Sequence, residues 1–201
     1  MTKQIKPHSL IVGGTRGIGR ALANLLASEN HRVSVIGRRP PSGKPNGKFH
    51  FWSADLLDPA VTLQALEDIV KQNGKLNNLI FLQRFKGQGD KWEGELGTSL
   101  SGTKLVIEFL TEHFQTGHSK SIVLVSSAAA HLVAQEQDVS YHVAKAGLQQ
   151  MGRYYAVVLG PKGFRVNIVS PGTVIKSENR EFYMRNKKLQ RLCRETQRRR
   201  Q

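Results

Sequence analysis

Tyr141 and Lys145, in the stretch SYHVAKAG, have the types and spacing to move a proton. At i and i+4 both side chains project from one helical face. A phenol with a pKa of about 10 exchanges protons poorly near neutrality. A neighbouring ammonium favours the phenolate and lowers that value, so the pair could give a proton to a carbonyl oxygen or take one back. Lysine also carries three donors that can hold hydroxyl groups. A helix face can carry this spacing by chance, so further groups must converge on it. Ser127 ends the apolar run of VSSAAA, where a hydroxyl at a strand's carboxyl end can hydrogen-bond a substrate oxygen.

A second constellation lies near the N-terminus. Gly13, Gly17 and Gly19 in VGGTRGIGR follow a predicted strand and open a predicted helix. In that context glycines let the backbone approach a pyrophosphate, whose charge then faces a helix N-terminus. After the second strand, NAD sites usually place an acid against the ribose 2′-hydroxyl. Here the residues are Arg38 and Arg39, and no Asp or Glu occurs between Glu29 and Asp55. Arg38, with Arg16 from the glycine loop, suits a 2′-phosphate, so the sequence favours NADP(H) over NAD(H). Asp55, in WSADL, could accept from an adenine amino group; capping or turning the backbone is an equal use for it.

These groups need a frame. Short apolar runs at Ser9–Val12, Val33–Ile36, Phe49–Ser53, Leu79–Leu82, Ile122–Val125 and Val166–Val169 read as strands. Between them, Arg20–Ser28 places Ala21, Leu22, Leu25 and Leu26 on one helical face, and Ala60–Lys71 is amphipathic through Val61, Ala65, Leu66, Ile69 and Val70. Leu105, Val106, Phe109 and Leu110 mark another helix; Ala144, Leu148, Met151, Tyr155 and Val158 mark the one that carries Tyr141. Strand–helix alternation predicts one α/β domain, a doubly wound parallel sheet in three α/β/α layers with its ligand at the strand carboxyl ends. The stretch 82–98, with four glycines, reads as a loop beside that edge.

The 201 residues suit one domain with a real core. No apolar run is long enough to span a membrane, and MTKQIKPHS lacks the features of a signal peptide, so a cytoplasmic enzyme is expected. A single cysteine, Cys193, excludes an internal disulfide framework. Of the net charge of +15, residues 176–201 carry ten Lys/Arg against three Glu. They read as a basic tail after a domain ending near 175. No aromatic residue interleaves the RRR run, which makes nucleic acid an unpromising partner.

Taken in order, VGGTRGIG, ADL at 54–56, VSS at 125–127, YHVAK at 141–145 and SPG at 170–172 resemble a classical short-chain dehydrogenase/reductase, similar to the 3-oxoacyl-carrier-protein reductase type. The resemblance implies an NADP-linked Rossmann fold and hydride transfer to or from a small carbonyl or alcohol substrate, with no metal. It makes Tyr141 the acid/base, Lys145 its pKa and ribose partner, and Ser127 the substrate-orienting group. It places Gly13, Thr15, Arg16, Gly17, Ile18, Gly19, Arg38, Asp55, Leu56, Tyr141, Lys145 and Val174 at cofactor-contacting positions, and implies a homodimer or homotetramer. The chain departs from the pattern in four ways. Phe81-Leu82-Gln83-Arg84 replaces Asn-Asn-Ala-Gly after the fourth strand. Ser99 replaces the asparagine that holds a relay water. Ser127 and Tyr141 are one residue further apart than is commonest. The substrate lid and last strand are expected to be missing. The departures keep an alternative open, a catalytically weak or inactive NADP-binding or regulatory protein.

Overall fold

The structure, a computed structural model, describes residues 6–41, 49–175 and 180–186. Six strands, β1 His8–Val12, β2 Arg32–Gly37, β3 Phe49–Ser53, β4 Asn78–Phe81, β5 Lys120–Val125 and β6 Phe164–Val169, form one sheet in the order β3-β2-β1-β4-β5-β6. Every neighbouring pair is parallel. This is the expected doubly wound, Rossmann-type sheet. Chain order reverses between β1 and β4, so their carboxyl ends splay apart and leave a crevice. β6 forms one edge, and no seventh strand follows among the described residues.

The central strands are apolar on both sides because helices cover both faces, whereas Arg165, Asn167 and Val169 of the edge strand β6 are exposed. β1 is buried throughout. Leu10 and Val12 face a large core with Leu66, Ile69, Leu79, Phe81 and Ile107, while Ile11 faces a smaller one with Ala23, Val33 and Val35. The helices are α1 Gly17–Ser28, α2 Pro59–Asn73, α3 Lys91–Leu96, α4 Gly102–Leu110, α5 Val139–Leu159 and α6 Arg180–Arg185. In α1 the buried line runs through Gly19 and Ala23, with Leu22 and Leu26 partly covered, whereas Leu25 is 56 % exposed. The expected face was therefore rotated: small residues, rather than the leucines alone, let α1 lie close to the sheet. Val61 of α2 and Val158 of α5 also face solvent.

The largest difference from expectation lies in 82–98. Residues 91–96 are helical and pass through a π-helical turn, Gly97–Ser101, into α4. Asp90 caps the start, its carboxylate accepting from Glu93 N–H at 2.9 Å. Residues 82–90, with Gly87 and Gly89, form the expected loop, whereas Gly94 and Gly97 are packing positions. A Cβ on Gly94 would run into the Phe85 ring, and one on Gly97 would come within 2.5 Å of Leu57 Cδ2. Of the basic tail, only Arg180–Asn186 is described; the rest, with Cys193 and the RRR run, lies outside the described residues.

A polar cluster fastens the opposite end of the sheet. His8 is 2 % exposed, with Nδ1 2.8 Å from Gly74 O and Nε2 2.8 Å from Ser34 Oγ. Asn73 Nδ2 donates to the same Ser34 Oγ at 2.9 Å. Burial pushes His8 down to about 4 from 6.5, although the Gly74 carbonyl pulls the other way. Between those values the unfolded chain takes a proton that the folded chain refuses, so stability falls as pH drops through this window. The expected loss is at most about 3 kcal/mol. Urea unfolding at a series of pH values should show a steeper acid loss for the wild type than for His8→Gln. Parallel losses in the two chains would refute the assignment.

Candidate active site

The sequence of β5 decides where α5 sits. Lys145 is 4 % exposed, and its Nζ donates to Val125 O at 3.0 Å. The next residue, Ser126, donates from Oγ to the carbonyl of Lys145 at 2.7 Å. Two successive residues at the carboxyl end of β5 thus hold both ends of the lysine. Ser127 follows at the rim. Its Oγ accepts from Ala129 N–H at 3.2 Å, which leaves its own O–H free to donate elsewhere. Beyond it, Ala128 N–H donates to Pro171 O at 2.9 Å, bringing the SPG turn alongside.

Tyr141 lies one turn before Lys145 on α5, half-buried, with the lysine Nζ 5.6 Å from its ring centroid. Its helix is tied to the segment after Ser127 by His142, whose Nε2 accepts from Ala134 N–H at 2.9 Å and whose Nδ1 lies 3.0 Å from Asp138 O. Gln149 Nε2 lies 2.8 Å from His131 Nε2 and donates to Ser170 Oγ at 3.2 Å. Ser127, Tyr141, Lys145 and the SPG turn therefore converge at one end of the sheet.

Ser99 is fully buried in the π-helical turn, and its hydroxyl donates to Glu95 Oε1 at 2.8 Å. Glu95 is itself 4 % exposed and acts on Lys145. Burial pushes the Lys145 amine down to about 8; Glu95 opposes this and Arg84 adds to it. Sequence reasoning missed both groups. Glu95 carries a signal in retrospect, since i and i+4 put it on the face of Ser99. Arg84 carries none: its guanidinium carbon stands 4.4 Å over the Tyr141 ring, and Nη2 donates to Gln137 Oε1.

The glycine loop lies at the crevice between β1 and β4. Gly13 has φ 84°, and a Cβ there would lie 2.6 Å from Gln83 N, so the loops after β1 and β4 touch only because it is glycine. A Cβ on Gly19 would collide with Gly13 O, and Gly17 also has a positive φ, 55°. Arg16, the N-cap of α1, is exposed and makes no side-chain capping hydrogen bond. Thr15 packs on Gly37 at the end of β2.

Arg38 Nη1 stands 3.9 Å from Asp55 Oδ2, with both side chains about two-fifths exposed, 39 % and 41 %. Such a pair contributes about 1 kcal/mol at most. Asp55 also accepts from Leu57 N–H at 3.2 Å, so its turn-forming use is realised. Leu56 is buried, its side chain packed towards Gly102, and Val174 is 38 % exposed. Gln83 Nε2 donates to Thr103 Oγ1 at 2.7 Å, while its Oε1 is buried without a partner beside the glycine loop. An open groove of about 420 Å³ between Leu57, Pro59, Leu105 and Glu108 lies apart from Tyr141 and the glycine loop.

A family model described as Enoyl-(Acyl carrier protein) reductase matches residues 12–201. The chain is 26 % identical over 189 residues to glucose 1-dehydrogenase 2 of Bacillus subtilis, covering 85 % of this chain and 73 % of that one. It is 29 % identical over 176 residues to the human 3-oxoacyl-[acyl-carrier-protein] reductase, covering 82 % and 74 %. Among solved structures, gox2181 superposes with a TM-score of 0.79 at 19 % identity, covering 95 % and 80 %. A short-chain dehydrogenase from Leptospira borgpetersenii with bound NAD+ superposes with a TM-score of 0.74 at 23 % identity, covering 87 % and 75 %.

The charges around Lys145 give a direct test. Its amine should lose its proton near pH 8, as followed by NMR of the side-chain methylenes next to the nitrogen. Arg84→Ala should raise the midpoint and Glu95→Gln should lower it. A wild-type midpoint at the ordinary 10.5 would show that the amine is solvated rather than buried.

Proposed function

This chain belongs to the short-chain dehydrogenase/reductase family of oxidoreductases, and we propose that it uses NADP(H) to interconvert a carbonyl and a secondary alcohol, with Tyr141 as acid/base. The observation that carries the reading is the buried Lys145 ammonium, pinned to Val125 O and 5.6 Å from the Tyr141 ring.

The residues present fit a dinucleotide. Gly13 and Gly19 let the loop fold closely at the start of α1, where a pyrophosphate would face the helix N-terminus, and Arg16 makes no side-chain cap there. Thr15, Ile18, Asp55, Leu56 and Val174 line the same edge in this reading. The preference for NADP(H) rests on Arg16 and Arg38, both exposed. Arg38 has only a weak ion pair with Asp55 to give up for a 2′-phosphate. A nicotinamide dinucleotide bound there supplies the hydride.

The chain's own groups supply the rest. Ser127 donates its free O–H to the substrate oxygen and holds it beside Tyr141. The Tyr141 hydroxyl gives that oxygen its proton in reduction and takes it back in oxidation. Lys145 has donors left beyond Val125 to hold a ribose hydroxyl. With a pKa of about 8 it can also give and regain a proton near neutrality. Ser99 acts through Glu95, whose carboxylate supports the ammonium charge. The same reading includes a cytoplasmic homo-oligomer; the exposed Tyr154, Val157 and Val158 of α5 support the self-association. No helix among the described residues is long and apolar enough to cross a membrane.

Titration with NADPH and NADH, followed by a screen of ketones and aldehydes, tests the proposal. NADPH should bind at least about tenfold more tightly, and Arg38→Asp should remove that preference. Tyr141→Phe should lower turnover by about 100-fold or more while leaving NADPH binding measurable. Turnover that survives Tyr141→Phe would sink the acid/base assignment. Tight NADPH binding with no turnover on any carbonyl class would favour a cofactor-binding regulator instead.

A further inference from the structure

Arg84 is the group the proposed reaction leaves unused. It follows β4 at the crevice between β1 and β4, and its guanidinium carbon lies 4.4 Å from the centroid of the Tyr141 ring. The side chain is exposed, and among the described residues it has no carboxylate partner. The acids near it are engaged elsewhere. Asp138 pairs with Lys91 at 3.0 Å, and Glu95 is buried against the Ser99 hydroxyl. One N–H of the guanidinium goes to Gln137 Oε1, which fixes the plane over the ring and leaves other donors unspent. Lys145 stands 5.6 Å from the same ring, so two cations flank one phenol.

We propose that Arg84 is a specificity residue that selects substrates carrying a free carboxylate close to the reacting carbon, namely 2-oxo or 3-oxo acids and their hydroxy counterparts. The inference rests on the carbonyl–alcohol reading given above. A planar fork of unspent donors matches a carboxylate in two parallel hydrogen bonds, which an ammonium does not do. The guanidinium lies over the ring that bears the acid/base hydroxyl. Within hydrogen-bond reach of each, the carboxylate belongs within about two carbons of the carbonyl. A neutral ester or thioester of the same acid offers no charge to this group.

The test compares pyruvate with methyl pyruvate and acetoacetate with methyl acetoacetate, using the full chain with NADPH. Wild type should favour the acids in kcat/KM by about 10- to 100-fold. Arg84→Met should bring the ratio near parity, mainly by raising KM for the acids, and Arg84→Lys should fall between. Thermal unfolding of each variant checks that it is folded. Direct binding of pyruvate and acetoacetate, read by saturation-transfer NMR, separates this proposal from the reaction itself. Acids that bind wild type but not Arg84→Met, with no turnover, would uphold the anion site and overturn the reduction. Esters turned over as well as the acids, with a ratio unmoved by Arg84→Met, would overturn the anion site and uphold the reduction.

Discussion

An ammonium buried at 4 % exposure is the constraint around which this fold is arranged. Taking a lysine out of water is costly unless donors and charge are matched. The match comes from two directions, the Val125 carbonyl at the end of β5 and Glu95 from α3, while the Ser126 hydroxyl anchors the lysine's own backbone carbonyl. Neither partner of the amine can move without stranding the charge. That fixes α5 against β5 and brings α3 to both. The offset is incomplete, since the amine is still held well below its usual range. A lysine in that condition is suited to exchanging a proton, which a fully solvated one is not at neutral pH.

The carboxyl edge of the sheet carries a consistent sign of charge. Arg16 and Arg38 are exposed around the ends of β1 and β2, and Arg84 and Lys145 stand at the ends of β4 and β5. The acids among them are spent locally: Asp55 on a turn and on Arg38, Glu95 on Ser99. Cations outnumber acids along this edge, and an excess of positive charge in a crevice attracts anions. The overall +15 is thus not only a property of the C-terminal residues.

The strands were legible because each is a short run of apolar residues bounded by turns. Phe49–Ser53 was matched to the residue, and the others differ by one or two positions at their ends. The glycine loop was legible because its spacing sits between a strand and a helix. What failed was the reading of glycine as punctuation. Gly94 and Gly97 lie in helical backbone because Phe85 and Leu57 fill the space a side chain would need. Such contacts join residues with no periodic relation, so a window along the chain cannot see them. Arg84 over Tyr141 is of the same kind. Ser99 was named from the sequence, but its partner Glu95 was not, because a buried carboxylate and a solvated one look alike in sequence.

The two halves of the site are linked through the substituted segment after β4. Gly13 packs on the backbone of Gln83. The Gln83 amide donates to Thr103 Oγ1 at 2.7 Å, and that hydroxyl donates to Ser99 O at 2.7 Å. Ser99 Oγ then donates to Glu95, beside Lys145. A continuous line of contacts thus runs from the glycine loop to the lysine. The glutamine that departs from the family pattern is therefore not idle. It spans the crevice from the loop after β1 to α4, and its backbone approaches the loop only because Gly13 lacks a Cβ. Gln83, where the resembled pattern has alanine, and Ser99, where it has the relay asparagine, are then joined through the Thr103 hydroxyl. The serine hydroxyl reaches a carboxylate on its own helix, and the threonine one turn on gives the glutamine its acceptor.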